Sequence, residues 1–327
     1  MPQADIVLEG GGVKGIALVG ALSVLEEEGY TFEKVAGTSA GAIVGSLVAA
    51  RMSTAELREI MQGLNYLEFK DRGLLDRFGL VGKGLSLLLE NGIYEGQYLA
   101  EWLEGLLAQK GCTTFGAMAL DDPDTSLPPD RRYRLVVMAS DVSSGRLRRL
   151  PWDYQACYGI DPTSCPVSQA VRASMSIPFF YEPFRLQYQR VIDGKARDET
   201  VFLVDGGMLS NFPVDVFDRT DGRSPRWPTI GIKLSERPVA EEEPQDISGP
   251  LGLARAMIHT MTGFHDKLHL DDERVLARTM FVDTTGVKAT DFDLDEDTQE
   301  RLFENGRRAA RKFLEHWDFD AYKARYC

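Results

Sequence analysis

Twice near its N-terminus the chain runs from a short apolar stretch into a glycine-rich turn and out into small apolar residues. The first instance is IVLEGGGVKGIALVGAL, Ile6 to Leu22; the second is VAGTSAG, Val35 to Gly41. Ile6-Val7-Leu8 reads as a buried strand. Gly15 to Glu28 reads as a helix, with Ala17, Leu18, Ala21, Leu22 and Leu25 on one stripe and Gly29 as its stop. Phe32 to Ala36 is a second strand, and Ala40 to Ala50 a helix small and apolar enough to be buried on most sides. Strand, tight turn, helix, repeated, demands a layered α/β fold.

The rest of the chain continues the alternation. Thr54–Leu64 is a helix with Ser53 or Thr54 as cap and Glu56 in its first turn, and Glu95–Lys110 is another amphipathic stretch. Asp121 to Arg132 is a surface loop by composition. Arg134–Ala139, Val201–Val204, Thr229–Ile232 and Arg278–Val282 are strands; Leu251–Leu270 and Asp295–Trp317 are helices. The acidic segment Glu236 to Gly249 is a solvated connection. There is no internal repeat, and strands recur on both sides of every loop.

Each glycine turn has more than one reading. Gly10-x-Gly12-x-x-Gly15 after a strand fits a dinucleotide phosphate cradle, but that cradle calls for Asp or Glu about 20 residues on, at the end of the second strand. Here that strand ends in Ala36-Gly37-Thr38-Ser39. Consecutive glycines also leave backbone N–H groups able to approach a small anion. Gly37-Thr38-Ser39-Ala40-Gly41 is G-x-S-x-G between strand and helix, the setting of a nucleophile elbow, with Ser39 at a helix N-terminus that favours developing negative charge. The same residues also make an ordinary turn with a capping serine. A serine nucleophile needs a base. Asp205, at the end of Val201–Val204 and before Gly206-Gly207, is one candidate, though Asp-Gly-Gly is also a generic turn. The order Ser39, Asp205, then His259, His265 or His269 would suit an α/β-hydrolase triad.

Taken together and in order, these motifs resemble the patatin-like phospholipases, a family of lipid acyl hydrolases. Glu9-Gly10-Gly11-Gly12-Val13-Lys14-Gly15 is similar to the family's oxyanion loop, Gly37-Thr38-Ser39-Ala40-Gly41 to its elbow, and Asp205-Gly206-Gly207 to its acid motif. Ala173-Ser174-Met175-Ser176-Ile177-Pro178-Phe179-Phe180 and Asn211-Phe212-Pro213 resemble the flanks. The likeness runs from Ala4 to Phe217, with residues 218–327 as an α/β continuation of the same domain.

The resemblance implies a three-layer fold with a central, mostly parallel sheet flanked by helices. It implies a Ser39–Asp205 dyad without a catalytic histidine, and an oxyanion hole from the N–H groups of Gly10, Gly11, Gly12 and Val13. Lys14 would steady that loop, with Gly15, Gly37, Gly41, Gly206 and Gly207 as motif support. It implies an acyl-enzyme, no metal and no cofactor. Phospholipid or lysophospholipid is the expected substrate, met in transient contact with a membrane surface. Phe179, Phe180, Tyr181 and Leu85–Leu89 are candidates for an acyl groove or cap. A scaffold of this family that only binds lipid is a rival, against which Ser39 and Asp205 both stand.

Composition bounds the setting. With 43% hydrophobic and 27% charged residues the chain can bury a full core. A net charge of −13 argues against a nucleic-acid partner and against broad adhesion to anionic membranes, so lipid contact should be local. Cys112, Cys157, Cys165 and Cys327 have no metal spacing and read as reduced thiols of a cytoplasmic protein. No basic leader precedes an apolar run at the N-terminus, and no apolar run is long enough to span a bilayer. Oligomeric state is left open by the sequence.

Overall fold

The computed structural model describes residues 1–64, 96–122, 124–235, 256, 272–289 and 291–327. Their strands are β1 (Gln3–Leu8), β2 (Thr31–Gly37), β3 (Leu135–Asp141), β4 (Arg146–Leu150), β5 (Phe184–Ile192), β6 (Lys195–Asp205), β7 (Thr229–Lys233) and β8 (Thr279–Phe281). Among the described residues they form one sheet with pairing order β5-β6-β3-β2-β1-β7-β8, and β4 also pairs with β3. The stretch β3-β2-β1-β7-β8 is parallel throughout; β4, β5 and β6 join antiparallel. The mixed, mostly parallel sheet flanked by helices is the architecture the glycine turns called for. Parallel strands covered on both faces should be apolar runs rather than alternating ones. Ile6 to Leu8, Leu135 to Ala139 and Ile230 to Ile232 are all buried.

The helices are α1 (Gly15–Glu27), α2 (Ala40–Ala49), α3 (Thr54–Gln62), α4 (Gln97–Gln109), α5 (Trp152–Tyr158), α6 (Val167–Ser174), α7 (Glu273–Ala277), α8 (Glu296–Leu314) and α9 (Phe319–Tyr326). Every residue of α1 from Gly15 to Leu25 is buried, not one stripe alone. The reason is α8, which lies across it so closely that a Cβ on Gly20 would stand 2.0 Å from the Phe303 carbonyl oxygen. Ser53 caps α3 in a reciprocal box with Glu56, as its sequence suggests. Gly29, at φ +80°, follows Glu28, the residue that caps the C-terminus of α1. Beyond α8 the chain forms a further helix, α9, where the sequence pattern had run a single helix to Trp317.

The largest departure is the β5–β6 hairpin. The expected strand Val201–Val204 is only the end of an eleven-residue antiparallel strand. Its turn, Asp193-Gly194, has φ +51° and +72°, the two positive angles of a tight hairpin turn. Within that strand Val201, Leu203 and Val204 are buried, whereas Phe202 faces outward. The acidic segment Glu236–Gly249, the helix Leu251–Leu270 apart from Ala256, and the cap stretch Leu85–Leu89 lie outside the described residues.

Candidate active site

Register brings the serine and the acid together. On β3, Val137 lies opposite Gly37 of β2, and Ala139, two residues further on, lies opposite Asp205 of β6. Ser39 is two residues past Gly37, so it stands level with Asp205 at the C-terminal edge of the parallel strands. That edge is where open α/β sheets place their ligands.

Ser39 occupies a sharp elbow, with φ +51° and ψ −124°, between β2 and α2. A side-chain-bearing residue held there is strained, and something must hold it. Its backbone N–H donates to Ser174 Oγ at 2.9 Å, from the last residue of α6. The turn also needs close backbone approach, since a Cβ on Gly41 would lie 2.3 Å from the Leu8 carbonyl oxygen and one on Gly37 2.2 Å from that of Gly41. Ser39 is 4% exposed, and its hydroxyl donates to Met175 Sδ at 3.4 Å.

Asp205 is buried, and desolvation is the main reason its pKa rises from 3.8 to about 6; hydrogen bonds from Ser39 and from the Gly207 N–H pull the other way. The Gly207 N–H reaches Asp205 Oδ1 at 2.7 Å. The Ser39 hydroxyl therefore has a weak sulfur acceptor and a carboxylate within reach. Gly206 packs on the Met138 backbone, where a Cβ would meet a carbonyl oxygen at 2.4 Å.

The glycine loop lies against this pair: a Cβ on Gly10 would stand 3.0 Å from Ser39 Cβ. Two of its amides are already committed. Gly10 N–H donates to the Asn211 carbonyl (3.3 Å) and Val13 N–H to that of Ala289 (3.1 Å). Among the described residues the Gly11 and Gly12 amides have no such acceptor. Gly12 has φ +58°, and a Cβ there would come 1.9 Å from the Ala289 carbonyl oxygen. Asn211 clasps the loop from the other side, its Nδ2 donating to the Gly10 carbonyl at 3.1 Å. Gly15 opens α1 with the Met61 methyl close by.

Beneath the loop is a polar anchor. Glu9, buried, pairs with Lys233 of β7 and accepts from the Leu234 N–H. Lys14 Nζ donates to Thr284 Oγ1 at 3.1 Å, and Thr284 donates on to the Leu234 carbonyl at 2.9 Å. Burial lowers the Lys14 pKa, while Glu9 and Asp291 oppose that shift. Lys14 thus ties the loop to the segment after β8.

Of the remaining expectations, Tyr181 is a fully buried core residue, and Phe180 stacks on Phe292 at 4.8 Å. His316 lies past α8, beside β8. His259, His265 and His269 lie outside the described residues. The residues missed by sequence reasoning are Ser174 and Met175 as partners of Ser39, and Asn211 as the clasp on Gly10. All three sit in motifs visible in the sequence, but nothing local announces their contacts. Among the described residues no group of three or more His, Cys, Asp or Glu side chains could hold a metal ion, and no helix is long and apolar enough to cross a membrane.

Comparison with known proteins bears on the family and the fold. A family model described as patatin-like phospholipase matches residues 6–218. The uncharacterized protein YqhO of Bacillus subtilis is 35% identical over 320 residues, covering 96% of this chain and 99% of that one. Lysophospholipase nte1 of Aspergillus niger is 48% identical over 47 residues, 14% of this chain and 3% of its own. Among solved structures, the ExoU-SpcU complex from the type III secretion system of Pseudomonas aeruginosa matches with a TM-score of 0.50 and 18% identity, covering 96% of this chain and 51% of that chain. VipD from Legionella pneumophila matches with a TM-score of 0.48 and 15% identity, covering 95% of this chain and 66% of that chain. The chain therefore spans roughly half to two thirds of those solved chains, and the likeness to ExoU is one of fold alone.

Proposed function

The chain belongs to the patatin-like phospholipase family, and from that premise we propose that it is a serine acyl hydrolase cleaving carboxylic esters of phospholipid or lysophospholipid. The observation that carries this reading is the placement of a desolvated carboxylate, with a pKa of about 6, level with a serine on a strained elbow. A carboxylate at its ordinary value is a weak base at neutral pH; one near 6 is much better matched to taking a hydroxyl proton.

Ser39 Oγ turns from Met175 toward Asp205 and attacks the ester carbonyl carbon while Asp205 takes the hydroxyl proton. The tetrahedral intermediate puts negative charge on the former carbonyl oxygen. Gly11 and Gly12 supply the N–H groups for it, each such donor being worth about 3–4 kcal/mol in the transition state. Gly10 and Val13, whose amides are committed to Asn211 and Ala289, act as the hinges of the loop. The C–O bond to the leaving alcohol breaks, and Asp205 returns the proton to that oxygen. Water then attacks the acyl-enzyme, gives a proton to Asp205, and releases the fatty acid as Ser39 regains its proton. No step calls for a histidine or a metal.

The test is fatty-acid release from lysophosphatidylcholine and from diacyl phosphatidylcholine, comparing the full chain with Ser39→Ala. Release by the parent and a loss of about a thousandfold or more in the variant is expected. Equal release by both would discard Ser39 as the nucleophile.

A further inference from the structure

The β5–β6 hairpin leaves the sheet at the active-site edge. Leu203 is the residue of β6 opposite Asp141, where β3 ends. Residues 195–202 therefore continue past the C-terminal end of β3, a path of about 25 Å along the strand. β3 is parallel to β2 and β2 to β1, so the hairpin projects on the side where the glycine loop and Ser39 lie.

Its surface is unlike the rest of the molecule. Among the described residues the exposed large apolar side chains are Met1, Val142 (44%), Val191 (70%) and Phe202 (40%). Apart from the terminal Met1, all lie on this hairpin or at the strand end beside it, where Val142 N–H donates to the Phe202 carbonyl. The tip, residues 190–197, also carries Arg190, Lys195 and Arg197, all exposed, against Asp193, with Asp198 and Glu199 next along β6. Arg190 stands directly opposite Arg197. Like charges so placed repel, and among the described residues no carboxylate pairs with either. Asp198 is engaged by Gln189 Nε2 at 3.2 Å. On a chain of net charge −13, a protruding cationic tip with an exposed valine is a local exception.

We propose that the β5–β6 hairpin docks the protein on an anionic phospholipid surface, with Arg190, Lys195 and Arg197 on one face of the ribbon meeting headgroup phosphates and Val191, on the opposite face of the same tip, entering the interface. The charge is complementary to that surface, and the position presents the sheet edge bearing Ser39 to the bilayer. The acidic remainder of the molecule is repelled, which limits contact to the tip. Asp205 closes β6, so the element that meets lipid and the strand that holds the base are continuous.

The proposal rests on the acyl-hydrolase reading for its purpose, yet its test does not depend on turnover. The full chain carrying Ser39→Ala is sedimented with vesicles of phosphatidylcholine alone and with vesicles containing phosphatidylglycerol. The same protein with Arg190→Gln, Lys195→Gln and Arg197→Gln is run beside it, its unfolding midpoint serving as fold control; Arg197→Gln alone is the milder variant. Binding to the phosphatidylglycerol vesicles is expected, weakened by added salt, at least tenfold weaker in the triple variant and about fivefold weaker in the single one. Absence of binding overturns the proposal, as does equal binding by parent and variants. So does a parent dimer, seen by light scattering, that the triple variant breaks, because that result assigns the hairpin edge to a second copy of the chain. Binding of this kind, together with a chain retaining Ser39 that fails to react with a fluorophosphonate there, would sink the hydrolase reading and leave the docking surface standing.

Discussion

Replacing Asp205 with asparagine should abolish catalysis and stabilise the fold, and the second effect has a defined pH dependence. Asp205 has a folded-state pKa of about 6 against an ordinary 3.8, with desolvation as the leading cause. The folded chain thus holds this proton more tightly than the unfolded chain does. The stability associated with the group is fully present below about pH 4 and is lost as pH rises through about 6. The gap corresponds to about 3 kcal/mol by which ionised Asp205 strains the fold at pH 8, relative to the neutral acid. Asparagine keeps an acceptor for the Gly207 N–H and carries no charge. Urea unfolding of parent and Asp205→Asn between pH 4 and pH 8 reads this directly. The stability difference should move in favour of asparagine across that window, by about 2–3 kcal/mol in total. A difference that is flat with pH, or that moves toward the parent, would refute the view of Asp205 as a desolvated base.

Other perturbations follow from the same contacts. Activity on a soluble ester should show an acidic limb centred near pH 6, falling about tenfold per pH unit below it, because ionised Asp205 is the required form; a limb near pH 4 would contradict the assignment. Ser174→Ala removes the acceptor that holds the Ser39 N–H at 2.9 Å, and should lower kcat about tenfold with KM little changed, whereas Ser174→Thr should restore part of it. Gly12→Ala, at φ +58° and against the Ala289 carbonyl, should cost at least about 2 kcal/mol by thermal unfolding and remove fluorophosphonate labelling. Glu9→Gln leaves Lys233 buried without its carboxylate and should destabilise the chain by about 3–5 kcal/mol in a urea titration.

The parts of the fold that were legible in the sequence are those whose signal is local. β1 at Ile6-Val7-Leu8 and β2 at Val35-Ala36 are apolar because both faces are covered there, and the glycines after them stand where backbone passes backbone, as at Gly41 against Leu8. Both catalytic candidates were visible for the same reason, each sitting at the exit of such a strand. The hairpin was harder to see because its outer half, from Gln187 to Thr200, has no core to face and so lacks apolar alternation; Asp193-Gly194 was its one strong mark. α1 reads as one-sided because α8, which buries its other side, arrives almost 300 residues later. The distribution of the loop's amides was equally hidden. Whether Gly10 or Val13 keeps a free N–H depends on carbonyls at Asn211 and Ala289, and no spacing within GGGVKG encodes them. The Ser174 contact with Ser39 belongs to the same class, a serine at a helix end whose role exists only once α6 packs beside the elbow.

The central claim is that Ser39 is a nucleophile activated by Asp205. Mass-spectrometric mapping of a fluorophosphonate adduct on the full chain, beside Ser39→Ala and Asp205→Asn, tests it most directly. The account predicts a single adduct on Ser39, absent in the first variant and slowed by orders of magnitude in the second. An adduct on another residue, or labelling of Ser39 at an unchanged rate in Asp205→Asn, would contradict it.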